Sequence, residues 1–225
     1  GFLYVLFHIT AHGIAESDRI LCLSAQPTMK KNTNGENIDM EINKFLSFIE
    51  ESEQLKSVLR TAWTSTGRRE STAEHSWRLA LFAAALSDCF PELDLSKVLI
   101  MSLIHDIGEI YDGDVSAASC PDRKSKYKSE YQAAQSVFSI LPEPQARRMM
   151  NTWLEYNEGK TPESKLVKAL DKAETIIQHN QGDNPPDFDY PFNLGYGREY
   201  FEENELLQRL RSFLDEKTKQ KMCES

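Results

Sequence analysis

Cysteine is scarce and scattered. The four, Cys22, Cys89, Cys120 and Cys223, form no C-x-x-C pair, so neither a cysteine-built zinc site nor a disulfide framework is expected. Reduced thiols in a cytoplasmic protein are the expectation instead. No run of eighteen apolar residues occurs, which leaves no candidate transmembrane helix and no membrane partner. The apolar stretch Gly1 to Phe7 is short and lacks the basic leader of a secretory signal. Positive charge is in deficit as well, with 26 Lys and Arg against 35 Asp and Glu and a net charge of -9. Phosphate-backbone affinity comes mostly from cations, so no nucleic-acid partner is expected. A small phosphate ester needs only a local cation or metal. Convincing apolar/polar alternation is also missing, and with it the signature of β-strands.

What remains is helical. A chain of 225 residues with 40% hydrophobic content can bury one substantial core. The expected fold class is all-α, a compact bundle of about seven or eight helices with short connections. Residues 1–39 read as an N-terminal extension, with residues 1–28, before Met29, as its non-native part, and residues 40–225 as the domain; His8 and His12 lie in the extension and receive no role. Ile42, Phe45, Leu46 and Ile49 form a helical stripe. Ser71 and Glu74 have the spacing of a capping box, which starts a helix there and puts His75 in its first turn. A largely buried helix from Val98 to Ile104 runs into His105 and Asp106. Further helices are expected over 125–141 and 144–156, then from Thr161 and Pro162 through Ile177, and finally over 198–219, after a loop from Gly182 to Gly197.

Two of the five histidines stand beside carboxylates in apolar surroundings, as Glu74-His75 and His105-Asp106. Polar groups there are expensive to bury without partners. Glu109, Asp112 and Asp114 follow closely, concentrating negative charge at a helix end where the dipole already disfavours anions, and a bound cation would relieve the repulsion. Glu109 lies one helical turn beyond His105, within reach of a water held there. Asp171, inside LVKALDKAE, is a further isolated carboxylate on a buried face. It calls for a cationic partner, either a metal or the neighbouring Lys168 and Lys172. Taken singly, each group has a bland reading: Arg60 as a salt-bridge former, Trp63, Trp77 and Trp153 as core, Arg68 and Arg69 as solvated charge, His179 as a capping or surface histidine.

The ordered set His75, His105-Asp106 and Asp171 resembles the signature of the HD-domain superfamily. RTAW at 60–63, STAEH ending at His75, HDIGEIYDGD at 105–114 and LVKALDKAE at 166–174 are similar to bacterial 5′-deoxynucleotidases of the YfbR type. The likeness spans roughly residues 42–215. It implies a metal-dependent phosphohydrolase that releases phosphate from (deoxy)nucleoside 5′-monophosphates. The implied metal ligands are His75, His105, Asp106 and Asp171, the catalytic carboxylates Glu109 and Asp114, the phosphate-binding group Arg60 and an aromatic neighbour near the sugar Trp63. Such a mixed donor set suits Mn, Co, Fe, Ni or Zn; the resemblance favours Co or Mn for activity, a small nucleotide as substrate and a homodimer. Alternatives are an HD hydrolase of guanosine tetraphosphate, a dinucleotide or a triphosphate, and a non-catalytic nucleotide-binding HD protein. Ile110 and Glu109 occupy positions where the tetraphosphate hydrolases and the cyclic-dinucleotide phosphodiesterases carry Asp and Lys, which lowers both.

Overall fold

The computed structural model of the chain describes residues 35–114 and 122–224. Residues 1–34 of the expected 1–39 extension, with His8, His12 and Cys22, lie outside them, as does Cys120, while residues 35–39 open a helix. The described residues form eight α-helices and one short hairpin: α1 Gly35–Ser52, β1 Leu59–Trp63, β2 Arg69–Ser71, α2 Thr72–Ala85, α3 Leu95–Ile104, α4 Arg123–Phe138, α5 Glu143–Glu158, α6 Pro162–Gln181, α7 Tyr190–Gly195 and α8 Glu205–Glu224. The all-α expectation holds. The hairpin is a local correction to it.

The antiparallel hairpin pairs Leu59 with Ser71 and Trp63 with Arg69, with a register irregularity between, and turns at Gly67, whose φ of +77° suits glycine. Hydropathy hid β1 for a physical reason. Its buried positions are Arg60 and Ala62, while Leu59 and Thr61 are exposed, so the inward face carries a charge where alternation looks for an apolar residue.

Helix starts follow local chemistry. The Ser71 side chain accepts from the Glu74 N–H while the Glu74 carboxylate accepts from the Ser71 N–H, the reciprocal cap foreseen from the sequence. Asp94, Asp122 and Thr161 cap α3, α4 and α6 one way, their side chains accepting from first-turn N–H groups, and Pro162 opens α6. Helix α6 is the axis of the bundle and packs against α2, α3, α5 and α8. Leu166, Val167, Leu170, Ala173 and Ile176 of α6 meet Leu79, Met101, Phe201 and Leu214 in the larger apolar cluster. A second cluster gathers Ile104, Ile107, Ile110, Val137, Phe138 and Trp153. Truncating a fully buried member such as Leu170 to Ala removes contacts worth about 2–5 kcal/mol.

Helix α3 stops at Ile104, and the chain then makes a short 3-10 turn over Ile107–Glu109. Glu109 is therefore not on a continuing helix, as its spacing from His105 suggested. Gly108 explains how the turn is seated: a Cβ there would come within 2.9 Å of the Glu130 backbone and side chain on α4. The stripe on α1 is mostly exposed, with Ile42, Phe45, Leu46 and Ile49 all open. The expected loop before the last helix contains α7, and a 3-10 turn over Arg198–Phe201 precedes α8.

Candidate metal centre and its cavity

His75 sits at the centre of the polar cluster. It is fully buried on the first turn of α2. Its Nε2 lies 3.3 Å from Asp171 Oδ1 on α6 and 3.8 Å from Asp106 Oδ2 just beyond α3. The His105 ring stands edge-on to it at 5.2 Å between centroids, and His105 Nε2 is 3.0 Å from Asp106 Oδ2. One ligand-type atom from each of His75, His105 and Asp106 falls within 4.8 Å of the others. Four residues spread over 97 positions of sequence are thus brought together, with His75 as their common neighbour.

Each histidine is held through its other nitrogen. Nδ1 of His75 hydrogen-bonds the Glu174 carboxylate, and Nδ1 of His105 donates to the Ser102 carbonyl at 2.9 Å. Both Nε2 atoms are buried without a hydrogen-bond partner among the described residues. Two orphaned imidazole nitrogens facing two carboxylates are costly alone and fit a divalent cation. Electrostatics agrees. Burial and Arg60 push the His75 pKa down, yet Glu174 and Asp171 outweigh them and raise it to about 9, so positive charge is favoured at this point. Burial pushes Asp106 up, but His105 and His75 hold it well below the usual carboxylate range. Asp171 is lowered likewise, with Lys172 and His75 overcoming its burial.

Asp171 has local partners as well. Its Oδ2 accepts from Tyr156 Oη and from Lys172 Nζ, each at 2.8 Å, which leaves Oδ1 toward His75. Lys168 is not a partner; its ammonium lies over the Tyr156 ring, 4.1 Å from the centroid.

Three members of the cluster, His105, Asp106 and Asp171, line a cavity of about 450 Å³ together with Arg60, Glu109 and Asp114. Glu109 is buried, takes Lys126 Nζ at 3.3 Å on Oε1, and has no partner on Oε2 among the described residues. Burial, with Asp106 and Asp114 nearby, raises its pKa well above the ordinary value. Arg60, on the buried face of β1, is 3.0 Å from Glu70 and donates to Thr175 Oγ1 at 3.0 Å. Glu174 and Glu70 outweigh burial and keep its guanidinium firmly charged.

Trp63 is different. It does not line the cavity. Its ring packs edge-on against Phe188 at 6.0 Å, and its carbonyl accepts from Gln178. The strand carries Arg60 and Ala62 inward and leaves Trp63 at the margin.

Burial separates the remaining candidates. His179 is not a surface residue: it is buried, lines the cavity, hydrogen-bonds Asn193 through Nδ1 at 2.7 Å, and burial lowers its pKa to about 4. Trp77 is exposed rather than core, whereas Trp153 is core and donates to the His105 carbonyl at 3.1 Å. Arg68 pairs with Glu74, and Arg69 donates to the Leu59 and Arg60 carbonyls. Sequence reading gave no role to Glu70, Lys126 or Glu174, whereas Lys172, expected there as a possible partner of Asp171, is one. For Glu174 a signal existed: three residues after Asp171, it lies on the same face of α6.

Comparison with known proteins agrees with this geometry. Residues 52–211 match the HD domain family. The 5′-deoxynucleotidase HDDC2 of Homo sapiens is 31% identical over 138 residues, 60% of this chain and 67% of that protein. A 5′-deoxynucleotidase of Schizosaccharomyces pombe is 30% identical over 137 residues, 58% of this chain and 68% of that protein. Among solved structures, a predicted metal-dependent phosphohydrolase from Magnetospirillum magnetotacticum superposes with a TM-score of 0.71 at 27% identity, covering 83% of this chain and 95% of that one. With its family match, its helical architecture and its paired histidines facing two aspartates, the chain belongs to the HD-domain family.

Proposed function

We propose that this HD-domain phosphohydrolase releases inorganic phosphate from (deoxy)nucleoside 5′-monophosphates by attack of water, with a divalent cation held by His75, His105, Asp106 and Asp171. The observation that carries the reading is the pair of buried Nε2 atoms that make no hydrogen bond among the described residues yet stand 3.0 Å from Asp106 and 3.3 Å from Asp171, where His105, Asp106 and Asp171 line the cavity. When bound, such a cation makes water more acidic and polarises a phosphoryl oxygen. The mixed donor set suits a borderline ion, and within that group we favour Co or Mn.

The remaining roles follow from each residue's surroundings. Glu109, buried with Oε2 free of any hydrogen-bond partner among the described residues and its pKa raised by burial beside Asp106 and Asp114, is suited to take a proton from the attacking water. Asp114, on the same cavity wall, is assigned proton transfer toward the leaving 5′-oxygen. Arg60 presents a permanent planar charge to the phosphate. Phe192 and Tyr196, whose rings lie 4.9 Å apart, supply an apolar margin for the nucleoside. Trp63 is left out of this scheme.

The similarity to curated 5′-deoxynucleotidases supports the substrate class. A homodimer and a cytoplasmic location belong to the same reading, supported by the open apolar face of α1 and by two free exposed thiols, Cys89 and Cys223. The deciding experiment is a phosphate-release screen over the deoxynucleoside 5′-monophosphates with each divalent ion in turn. Turnover of at least one of them with Co or Mn is expected, abolished by chelation; no release with any ion would end the proposal.

A further inference from the structure

Glu174 touches the candidate cation site without lining the cavity. It is 1% exposed. Its Oε2 takes the Nδ1 hydrogen bond of His75, and its Oε1 takes Arg78 Nε at 2.5 Å. Arg60 Nη1 stands 3.7 Å from the same Oε2. His75 and Arg78 are one turn apart on α2, so a single carboxylate from α6 receives both side chains of the opposing helix and is locked in place by them.

A neutral imidazole has one donor and one acceptor nitrogen. A carboxylate at Nδ1 selects the tautomer with its proton there and leaves the lone pair on Nε2, the atom that faces Asp171 and Asp106. His105 reaches the same tautomer through a neutral acceptor, the Ser102 carbonyl. The two candidate donors therefore differ: one has a charged acceptor behind it and the other a neutral one. A charged acceptor also strengthens the ring as a ligand.

We infer that Glu174 is a positioning residue for the divalent-cation site, holding His75 in the tautomer and orientation that present Nε2 to the ion. The inference rests on the reading of His75 as a ligand given above. A residue that merely ties α2 to α6 would affect melting temperature but not the intrinsic affinity of folded protein for an ion, and that difference makes the role testable.

The full chain, stripped by chelation, is titrated calorimetrically with Mn²⁺ alone and with Zn²⁺ alone. Glu174→Gln is expected to weaken binding about 10- to 100-fold, with turnover largely recovered at saturating ion, and Glu174→Asp to fall between it and wild type. Wild-type affinity in Glu174→Gln, with only a lowered melting temperature, overturns the inference and leaves the metal site standing. A wild-type chain that binds neither ion removes the site and this inference together. Should the variants fail to fold, ¹⁵N NMR of the Zn²⁺-loaded wild type decides: a His75 proton on Nδ1 supports the role, and an unprotonated Nδ1 refutes it.

Discussion

Along the hairpin, α2 and α6, buried charge comes in matched sets: Glu70 and Glu174 meet Arg60 and Arg78 through ion pairs of 3.0 Å and 2.5 Å. Along the Ile107–Glu109 turn and α4, four carboxylates, Asp106, Glu109, Asp114 and Glu130, line the cavity with Lys126 and Arg123 as the cations. Lys126 is shared between Glu109 at 3.3 Å and Glu130 at 3.0 Å. The balanced wall explains itself as structure, because each buried charge has a counter-charge and its hydrogen bonds. The acidic wall does not. Its excess negative charge is stable only where protons or a cation share it, and it shows this in the raised pKa of Glu109 and in the Glu109 Oε2 that has no hydrogen-bond partner among the described residues. An unbalanced wall facing a balanced one is thus a guide to where chemistry takes place.

The comparison breaks most visibly at the cation itself. Asp171→Ala is expected to empty the site and lower phosphate release by about 10³-fold or more, since a metal's charge stabilisation is worth several kcal/mol and each 1.4 kcal/mol is tenfold. Metal analysis alongside the phosphate assay checks it, and retained metal with full turnover would remove Asp171 from the donor set. On the acidic wall, Glu109→Ala should cost on the order of 10²–10³-fold in kcat with metal content near wild type. A fully active variant would strike it from the mechanism.

On the balanced wall, Arg60→Ala leaves Glu70 and Glu174 short of a counter-charge, and a stability loss of roughly 3–5 kcal/mol is expected from denaturant unfolding. A rise in KM for the nucleotide should accompany it. The contrast to draw is that Glu109→Ala, which relieves repulsion, leaves stability nearly unchanged or improves it.

A subtler effect concerns pH. His179 is held neutral by burial, with its pKa lowered from 6.5 to about 4. Between those values the unfolded chain binds more protons than the folded one, so this contribution to stability is present above pH 6.5 and is lost as pH falls toward 4. At full extent it amounts to about 3 kcal/mol. Melting temperatures of His179→Gln should accordingly depend less on pH across that window than those of wild type; an identical slope would contradict the buried-neutral assignment. Smallest of all, Arg147→Ala breaks an exposed i,i+4 pair with Glu143 on α5. Solvent screens such a pair, so no resolvable change in the unfolding midpoint is expected, which calibrates the assay for the larger effects.

Much of the site was legible because it violated local rules. Asp171 in an apolar helix and His105-Asp106 after an apolar run are visible as burials without local compensation, and the Ser71 to Glu74 spacing located the helix that carries His75. What hid was whatever obeyed a local rule or depended on a distant partner. Arg60 faces inward from a strand whose hydropathy suggests the opposite face. His179 looks like an ordinary late-helix residue until α7 and Phe188 close over it, the Phe188 ring lying 4.9 Å away. Lys126 reaches Glu109 across 17 positions, beyond any helical periodicity.

Local sequence alone determined the long helices, the caps at Ser71 and Thr161 and the four residues too polar for their surroundings, because hydrogen bonding and periodicity within a few residues decide those features. Tertiary structure decided which nitrogen of each histidine is free, which carboxylate stands behind His75 and which wall carries surplus charge. Those depend on contacts between residues as far apart as His75 and Glu174, 99 positions along the chain, and only the folded packing of α2 against α6 brings them within reach.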